Sequence, residues 1–219
     1  MPVTRLELKK KRIREFFSTF RTEKKGDFDE IKREFYKKGL IYVQMQLSVK
    51  DITKEFEDSL KRKIEQNIIK AKIRVASKED LESLMNIYNK SWLTSNTPFR
   101  PITIDTLKSI LEDEDTIFLI AKVYGRDSGF IILSFEGENN EIAEIEALGI
   151  LPRFQRKGLG TILGMGAWNY LKEKNVKEIL CEVYENNQAS YSFIKALGFK
   201  EYGKVLYNAS DFLEEDEKE

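Results

Sequence analysis

LGILPRFQRKGLGTILG, residues 148–164, decides how this chain is read. An apolar run stops at Pro152. Arg153, Arg156 and Lys157 follow within five residues, and then Gly158, Gly160 and Gly164. A strand that passes through a glycine loop into a helix makes an anion site. The first N–H groups of the helix have no partner inside it, and its macrodipole is positive there. Glycine lets a ligand approach the backbone, and the three cations add full charge. Phosphate or pyrophosphate suits such a place. Taken alone, the same glycines would equally serve tight helix packing.

Two common nucleotide motifs do not fit. A P-loop needs Gly-Lys-Ser/Thr after four variable residues, and that is absent. A dinucleotide fingerprint needs Gly-x-Gly-x-x-Gly directly after the first strand of its unit. Here the glycines stand at 158, 160 and 164, behind at least three strands.

Composition narrows the chemistry. The chain has 219 residues and no histidine, so imidazole acid–base catalysis, Ser-His-Asp triads and histidine metal sites are excluded. One cysteine, Cys181, allows neither an intrachain disulfide nor a thiolate metal cluster. No metal is expected. Proton transfer falls to carboxylates, tyrosine, lysine, the lone thiol or water. Lys plus Arg equals Asp plus Glu at 37 each, so bulk charge argues for neither nucleic acid nor membrane. The N-terminal stretch is charged and lacks an apolar core of signal-peptide length, and no run is long enough to span a bilayer. A cytoplasmic protein is the expectation.

Charge is unevenly spread. Residues 1–70 hold 19 Lys/Arg against 12 Asp/Glu, which places a boundary near residue 70. The expected organisation is a mainly helical N-terminal extension over 1–70, a second domain over 71–208 and an acidic, disordered tail over 209–219. Within the extension, LIYVQMQL at 40–47 reads as a strand, and Ser48 with Asp51 as a capping box. Ile52, Phe56, Leu60, Ile64 and Ile68 then recur every fourth residue. That narrow helical stripe suits packing on a neighbouring domain or a second copy in a homodimer. From residue 71 the pattern gives strand, two helices, three strands, helix, strand, helix and strand. Ser77 with Asp80 caps the first of these helices.

Gln155-Arg156-Lys157-Gly158-Leu159-Gly160 fits the Gln/Arg-x-x-Gly-x-Gly/Ala signature of the GNAT N-acetyltransferase superfamily. It follows Leu148-Gly149-Ile150-Leu151-Pro152, which resembles that family's strand end. Asn187-Gln188-Ala189-Ser190 and Leu197-Gly198-Phe199 resemble its closing segment, and residues 73–92 its first strand and helix. The resemblance covers about residues 71–207. It implies an α/β fold of mixed α+β type that binds acyl-coenzyme A. Its central sheet would be mixed, mostly antiparallel and flanked by helices. Acetyl-CoA would be the cosubstrate and an amine the acceptor.

The resemblance also implies site residues. Backbone N–H groups of Arg156, Lys157, Gly158, Leu159, Gly160 and Thr161 would hold the pyrophosphate, with Gln155 in the same motif. Leu148, Gly149 and Ile150 would pair with the pantetheine arm, the Ile150 N–H serving as oxyanion donor. Asn187 would reach the coenzyme. Glu144 and Glu146 fall where the family places a general base. Simple alternation along a strand puts both on one side, with Glu144 the first choice of the two. Many family members carry an acidic tyrosine four residues before the glycine of Leu-Gly-Phe. Here that position is Ile194. Tyr191 and Tyr184 are the nearby hydroxyls, and water is the remaining proton source. A non-catalytic acyl-CoA sensor is the alternative reading, separated from an enzyme by turnover.

Overall fold

The computed structural model describes residues 39–94 and 101–207. The helices expected before residue 39, the tail after 207 and the middle of the 94–102 loop lie outside them. The elements are β1 (Leu40–Ser48), α1 (Lys54–Glu65), β2 (Ala71–Val75), α2 (Leu81–Ser91), α3 (Ile104–Leu111), β3 (Thr116–Val123), β4 (Arg126–Glu136), β5 (Ile142–Ile150), α4 (Leu159–Leu171), β6 (Glu178–Tyr184), α5 (Gln188–Ala196) and β7 (Lys200–Tyr207).

One seven-stranded sheet runs β2-β3-β4-β5-β6-β1-β7. Every neighbouring pair is antiparallel except β5 with β6. The parallel ladder is short: it matches Ile142–Ile145 to Glu178–Cys181. Beyond it, Glu146–Ile150 has no ladder partner in β6. Strand β1 is hydrogen-bonded on both edges, to β6 and to β7. The sheet therefore draws strands from both sides of residue 70.

Two apolar layers close the sheet. On one face, α1, α4 and α5 pack over Val43, Met45, Ile131, Leu133, Ala143 and Cys181. On the other, α2 and α3 cover Phe118, Ile120, Phe130, Ile132 and Ala147. Helix α4 is apolar nearly all round, as a helix buried on several sides must be. Its small residues allow close approach: a Cβ on Gly160 would meet Phe193 at 3.0 Å, and one on Gly166 would meet Ile73 at 2.8 Å.

The helix starts are set locally. Thr53, Thr103 and Asn187 each accept a backbone N–H in the first turn of α1, α3 and α5. Ser77 and Asp80 form the expected reciprocal box. Arg74 holds Asp80 with two hydrogen bonds of 2.6 and 2.7 Å, which lowers that carboxyl to about 2. The Ser48–Asp51 box does not form. Ser48 caps nothing with its side chain, Val49 N–H bonds to Lys177, and Asp51 pairs with Lys200. The cap falls to Thr53. Helix α1 then ends at Glu65, so Ile68 lies beyond it and is 89% exposed. The stripe meets α4, where Glu57 accepts from Trp168 Nε1 at 2.7 Å and from Lys172 at 2.8 Å. Among the described residues no helix is long and apolar enough to cross a membrane.

Met45 on β1 is fully buried. Met45→Ala is expected to cost about 2–5 kcal/mol of unfolding free energy. Chemical denaturation reads this directly. A loss below about 1 kcal/mol would show that β1 is not part of the cooperative unit.

Candidate functional site

The site begins where β5 leaves β6. Leu151 N–H donates to Ser128 across the β4 ladder at 3.0 Å. In an antiparallel pair, backbone groups alternate between the partner strand and the opposite edge. Ile150 and Leu148 therefore turn their N–H and C=O groups away from β4, toward the gap left by β6. The Ile150 carbonyl accepts there from Gln155 Nε2 at 2.9 Å. Gly149 lies between them under close packing. A Cβ on it would stand 2.3 Å from the Phe130 ring and 2.6 Å from Ser91 Oγ, so only glycine fits.

The loop from Pro152 to Gly158 carries the chain into α4. Arg156 and Gly158 both adopt left-handed backbone, with φ of 56° and 79°. Such alternations turn successive amides to one side and make a concave seat for an anion. Gly158 is the N-cap of α4, and among the described residues no side chain caps that helix. Its first turn also contains no acid. The amides of Leu159, Gly160 and Thr161 thus keep their donor capacity at the positive end of the dipole, unlike those capped in α1, α3 and α5. Arg156 and Lys157 are exposed beside them. Arg153 turns elsewhere, its guanidinium 4.7 Å from the Phe154 ring centre.

Two predicted contact residues are engaged by the protein itself. Gln155 Nε2 donates to the carbonyls of Ile150 and Ser91, and its Oε1 accepts from Thr94. It is a strut tying the loop to the ends of β5 and α2. Asn187 is buried and caps α5 through Ser190 N–H at 3.1 Å.

The two carboxylates differ in access. Glu144 is 1% exposed, and Glu146 is half-buried. The β4–β5 register slips between Ile132 and Leu133: Ile145 pairs with Leu133, but Ala147 pairs with Ile132. Glu146 is the extra residue of a β-bulge, a device that re-aims a side chain. Glu144 stands opposite Ser134, whose hydroxyl donates to Glu146 Oε1 at 2.8 Å. Both carboxylates thus lie beside one serine. The bulge, which alternation alone does not foresee, sets the direction of the outer one.

Tyr191 is held away from the gap. Its hydroxyl donates to Glu201 on β7 and receives a 3.4 Å contact from Lys195. Strand β7 is three places from β5, about 14 Å at ordinary strand spacing. The Tyr184 hydroxyl accepts from Asn186.

The sequence profile of the Acetyltransferase (GNAT) family matches residues 81–199. An uncharacterized N-acetyltransferase of Methanocaldococcus jannaschii is 26% identical over 183 residues, 78% of this chain and 81% of that protein. An aminoglycoside N(6')-acetyltransferase type 1 of Acinetobacter haemolyticus is 24% identical, covering 62% of this chain and 94% of its own. The crystal structure of the PaiA N-acetyltransferase from Thermoplasma acidophilum, in complex with coenzyme A, superposes with a TM-score of 0.54 at 24% identity. It covers 63% of this chain and 99% of that one. The residues the profile matches include the loop and the parted strands: the chain belongs to the GNAT acetyltransferase family, whose enzymes take their acetyl group from acetyl-CoA.

Proposed function

We propose that the protein transfers an acetyl group from acetyl-CoA to a primary amine by direct attack in a ternary complex. The observation that carries this is the pairing of two features at one place. Strand β5 offers a backbone edge at Leu148–Ile150 that the β6 ladder does not reach, and α4 offers an N-terminus with no side-chain cap immediately after it. A thioester arm extends like an added strand along the first while its pyrophosphate rests on the second.

In this reading the amides of residues 156–161 hold the diphosphate, with Arg156 and Lys157 nearby. Gln155 shapes the loop and Asn187 shapes the start of α5. The Ile150 N–H points into the gap and donates to the thioester oxygen as it becomes an oxyanion. Glu146 takes a proton from the incoming ammonium. The amine nitrogen attacks the carbonyl carbon, the C–S bond breaks, and the thiolate leaves. A free thiol has a pKa of about 8.5, so thiolate departure near neutrality needs no strong acid, and water relays the second proton of the attacking nitrogen to it as the amide forms. Glu146 is favoured over Glu144 because it is the accessible one of the pair.

The test is thiol release from acetyl-CoA across a panel of amines, with coenzyme binding measured separately. Amine-dependent release is the expected result. Tight coenzyme binding without release for any amine would replace the enzyme reading by a sensor.

Tyr191→Phe is expected to change kcat only a few-fold. A positioned general acid contributes ~10²-fold or more, and this hydroxyl is committed to Glu201. A hundredfold loss in a folded variant with intact coenzyme affinity would assign the acid role to Tyr191.

A further inference from the structure

Arg153 is the first cation of the glycine-loop stretch, yet its side chain lines a separate cavity of about 610 Å³, to which no residue from 155 to 161 contributes. Small-molecule sites usually measure roughly 300–1,000 Å³. The cavity runs along the flank of α2, against the first residues of β4 and residues 151–153 after β5. Helix α2 belongs to the apolar layer on one face of the sheet, and α4 to the layer on the other. The cavity and the α4 N-terminus therefore approach the loop from different faces.

Three elements each bring a cation to it. Lys90 comes from α2, with Asn86 and Ser83 one and two turns before it on the same flank. Arg126 comes from the start of β4, and Arg153 from the loop. The 3.0 Å bond from Leu151 N–H to the Ser128 carbonyl fixes those two segments side by side. All three cations are exposed, and none has an ion pair among the described residues. By contrast, Arg74, Lys78, Lys200 and Lys204 are each paired with an acid. Asp127 is the single carboxylate of the lining, and its Oδ2 already accepts from Arg74 at 3.4 Å and from the Ser83 hydroxyl at 3.0 Å. The Arg153 guanidinium covers the Phe154 ring with its face, which leaves its in-plane N–H groups for an anion. A concave wall with three cations against one carboxylate concentrates anions.

We propose that this cavity is a second anion site, separate from the coenzyme seat, and that it takes a small organic anion with two or more negative charges. Phosphate esters and polycarboxylates share that chemistry. Lys90, Arg126 and Arg153 meet the charge. The Asn86 amide and the lone pairs of the Ser83 hydroxyl bond to polar groups on the rest of the ligand. Bound there, the anion joins α2 to the loop at a second point, beside the bond from Gln155 Nε2 to the Ser91 carbonyl. The site does not depend on which amine is acetylated.

The experiment is isothermal titration on the full chain saturated with coenzyme A, so that the seat at α4 is filled. The probes are ribose 5-phosphate, citrate and ribose, at low ionic strength. Saturable binding of ribose 5-phosphate, citrate or both is expected, with ribose at least tenfold weaker. The tighter of the two anions tells a phosphate ester from a polycarboxylate. Lys90→Gln and Arg153→Gln are each expected to weaken the anion at least fivefold and to leave coenzyme A affinity within twofold. Lys195→Gln, which removes an exposed charge on α5, is expected to change anion binding less than twofold. Thermal melts check that all three variants fold. Absence of saturable binding for both anions would overturn the inference. So would an equal loss in all three variants, which reads bulk charge alone. A loss of coenzyme A affinity in Arg153→Gln that matches the loss of anion would assign the cation to the coenzyme and overturn it as well.

Discussion

Glu146→Gln is expected to lower kcat by about 10²- to 10⁴-fold at neutral pH, the range a positioned acid–base group supplies. The argument starts from the acceptor. A primary alkylamine has a pKa near that of lysine, about 10.4, so at pH 7 it arrives protonated and cannot attack. The base must remove that proton within the complex. As pH rises toward the amine's own pKa, the neutral fraction grows and the base matters less. The penalty of Glu146→Gln should therefore shrink steadily with rising pH, and kcat–pH profiles of both proteins read it. Glutamine keeps the size of the side chain and can still accept from Ser134, so the bulge has no reason to collapse. Glu144→Gln is the companion measurement. That carboxylate is 1% exposed, and its replacement should act through local packing, with a loss that is flat in pH. If instead Glu144→Gln shows the pH-dependent loss and Glu146→Gln does not, the first choice made from the sequence is the right one.

The two carboxylates illustrate what the sequence conveys and where it stops. EILCEVY reads as a strand, and β6 spans the same residues, Glu178–Tyr184. Local chemistry of this kind is written in neighbouring residues: the Ser77–Asp80 box and the glycine loop before α4 belong with it. The bulge at Glu146 is different. EIAEIEALGI contains no glycine or proline at the slip, and the extra residue exists only relative to β4. Register is a property of two strands. The same reason hides the place of β1. Its strand character shows in LIYVQMQL, but a position between β6 and β7 depends on pairing with residues 130 or more positions away. Without that pairing, Gln44 and Tyr42 read as parts of an extension, not as neighbours of Glu182 and Tyr184 respectively. The motif points Gln155 toward the coenzyme, whereas its bonds to Ser91 and Thr94 depend on the packing of α2 against the loop, which no local pattern encodes.

Gly158→Val is expected to weaken coenzyme A binding at least tenfold while leaving a folded protein. Gly158 holds φ at 79° as the N-cap of α4. A β-branched residue is poorly tolerated there, since the left-handed conformation costs an L-residue about 1–2 kcal/mol. Space adds a second obstacle, because a Cβ at this position would stand 1.7 Å from Asn67 Nδ2. Asn67 lies in the turn after α1, and its amide would have to swing aside. The strain is relieved by twisting the loop, which turns the amides of Arg156 to Thr161 away from a common point. A diphosphate seated on those amides loses several hydrogen bonds at once, whereas stability falls by only one or two kcal/mol. Gly158→Asn separates the two causes. Asparagine accepts left-handed backbone but still meets Asn67, so it should retain more affinity than valine. Gly160→Val provides the contrast, for its Cβ would press on the Phe193 ring at 3.0 Å within the α4–α5 seam. There the first effect should be a loss of about 1–3 kcal/mol in stability from overpacking. Isothermal titration with coenzyme A, beside thermal melts of all three variants, distinguishes these outcomes. A folded Gly158→Val protein that binds coenzyme A as tightly as the parent would remove the loop from the binding site, and the proposed seat for the diphosphate with it.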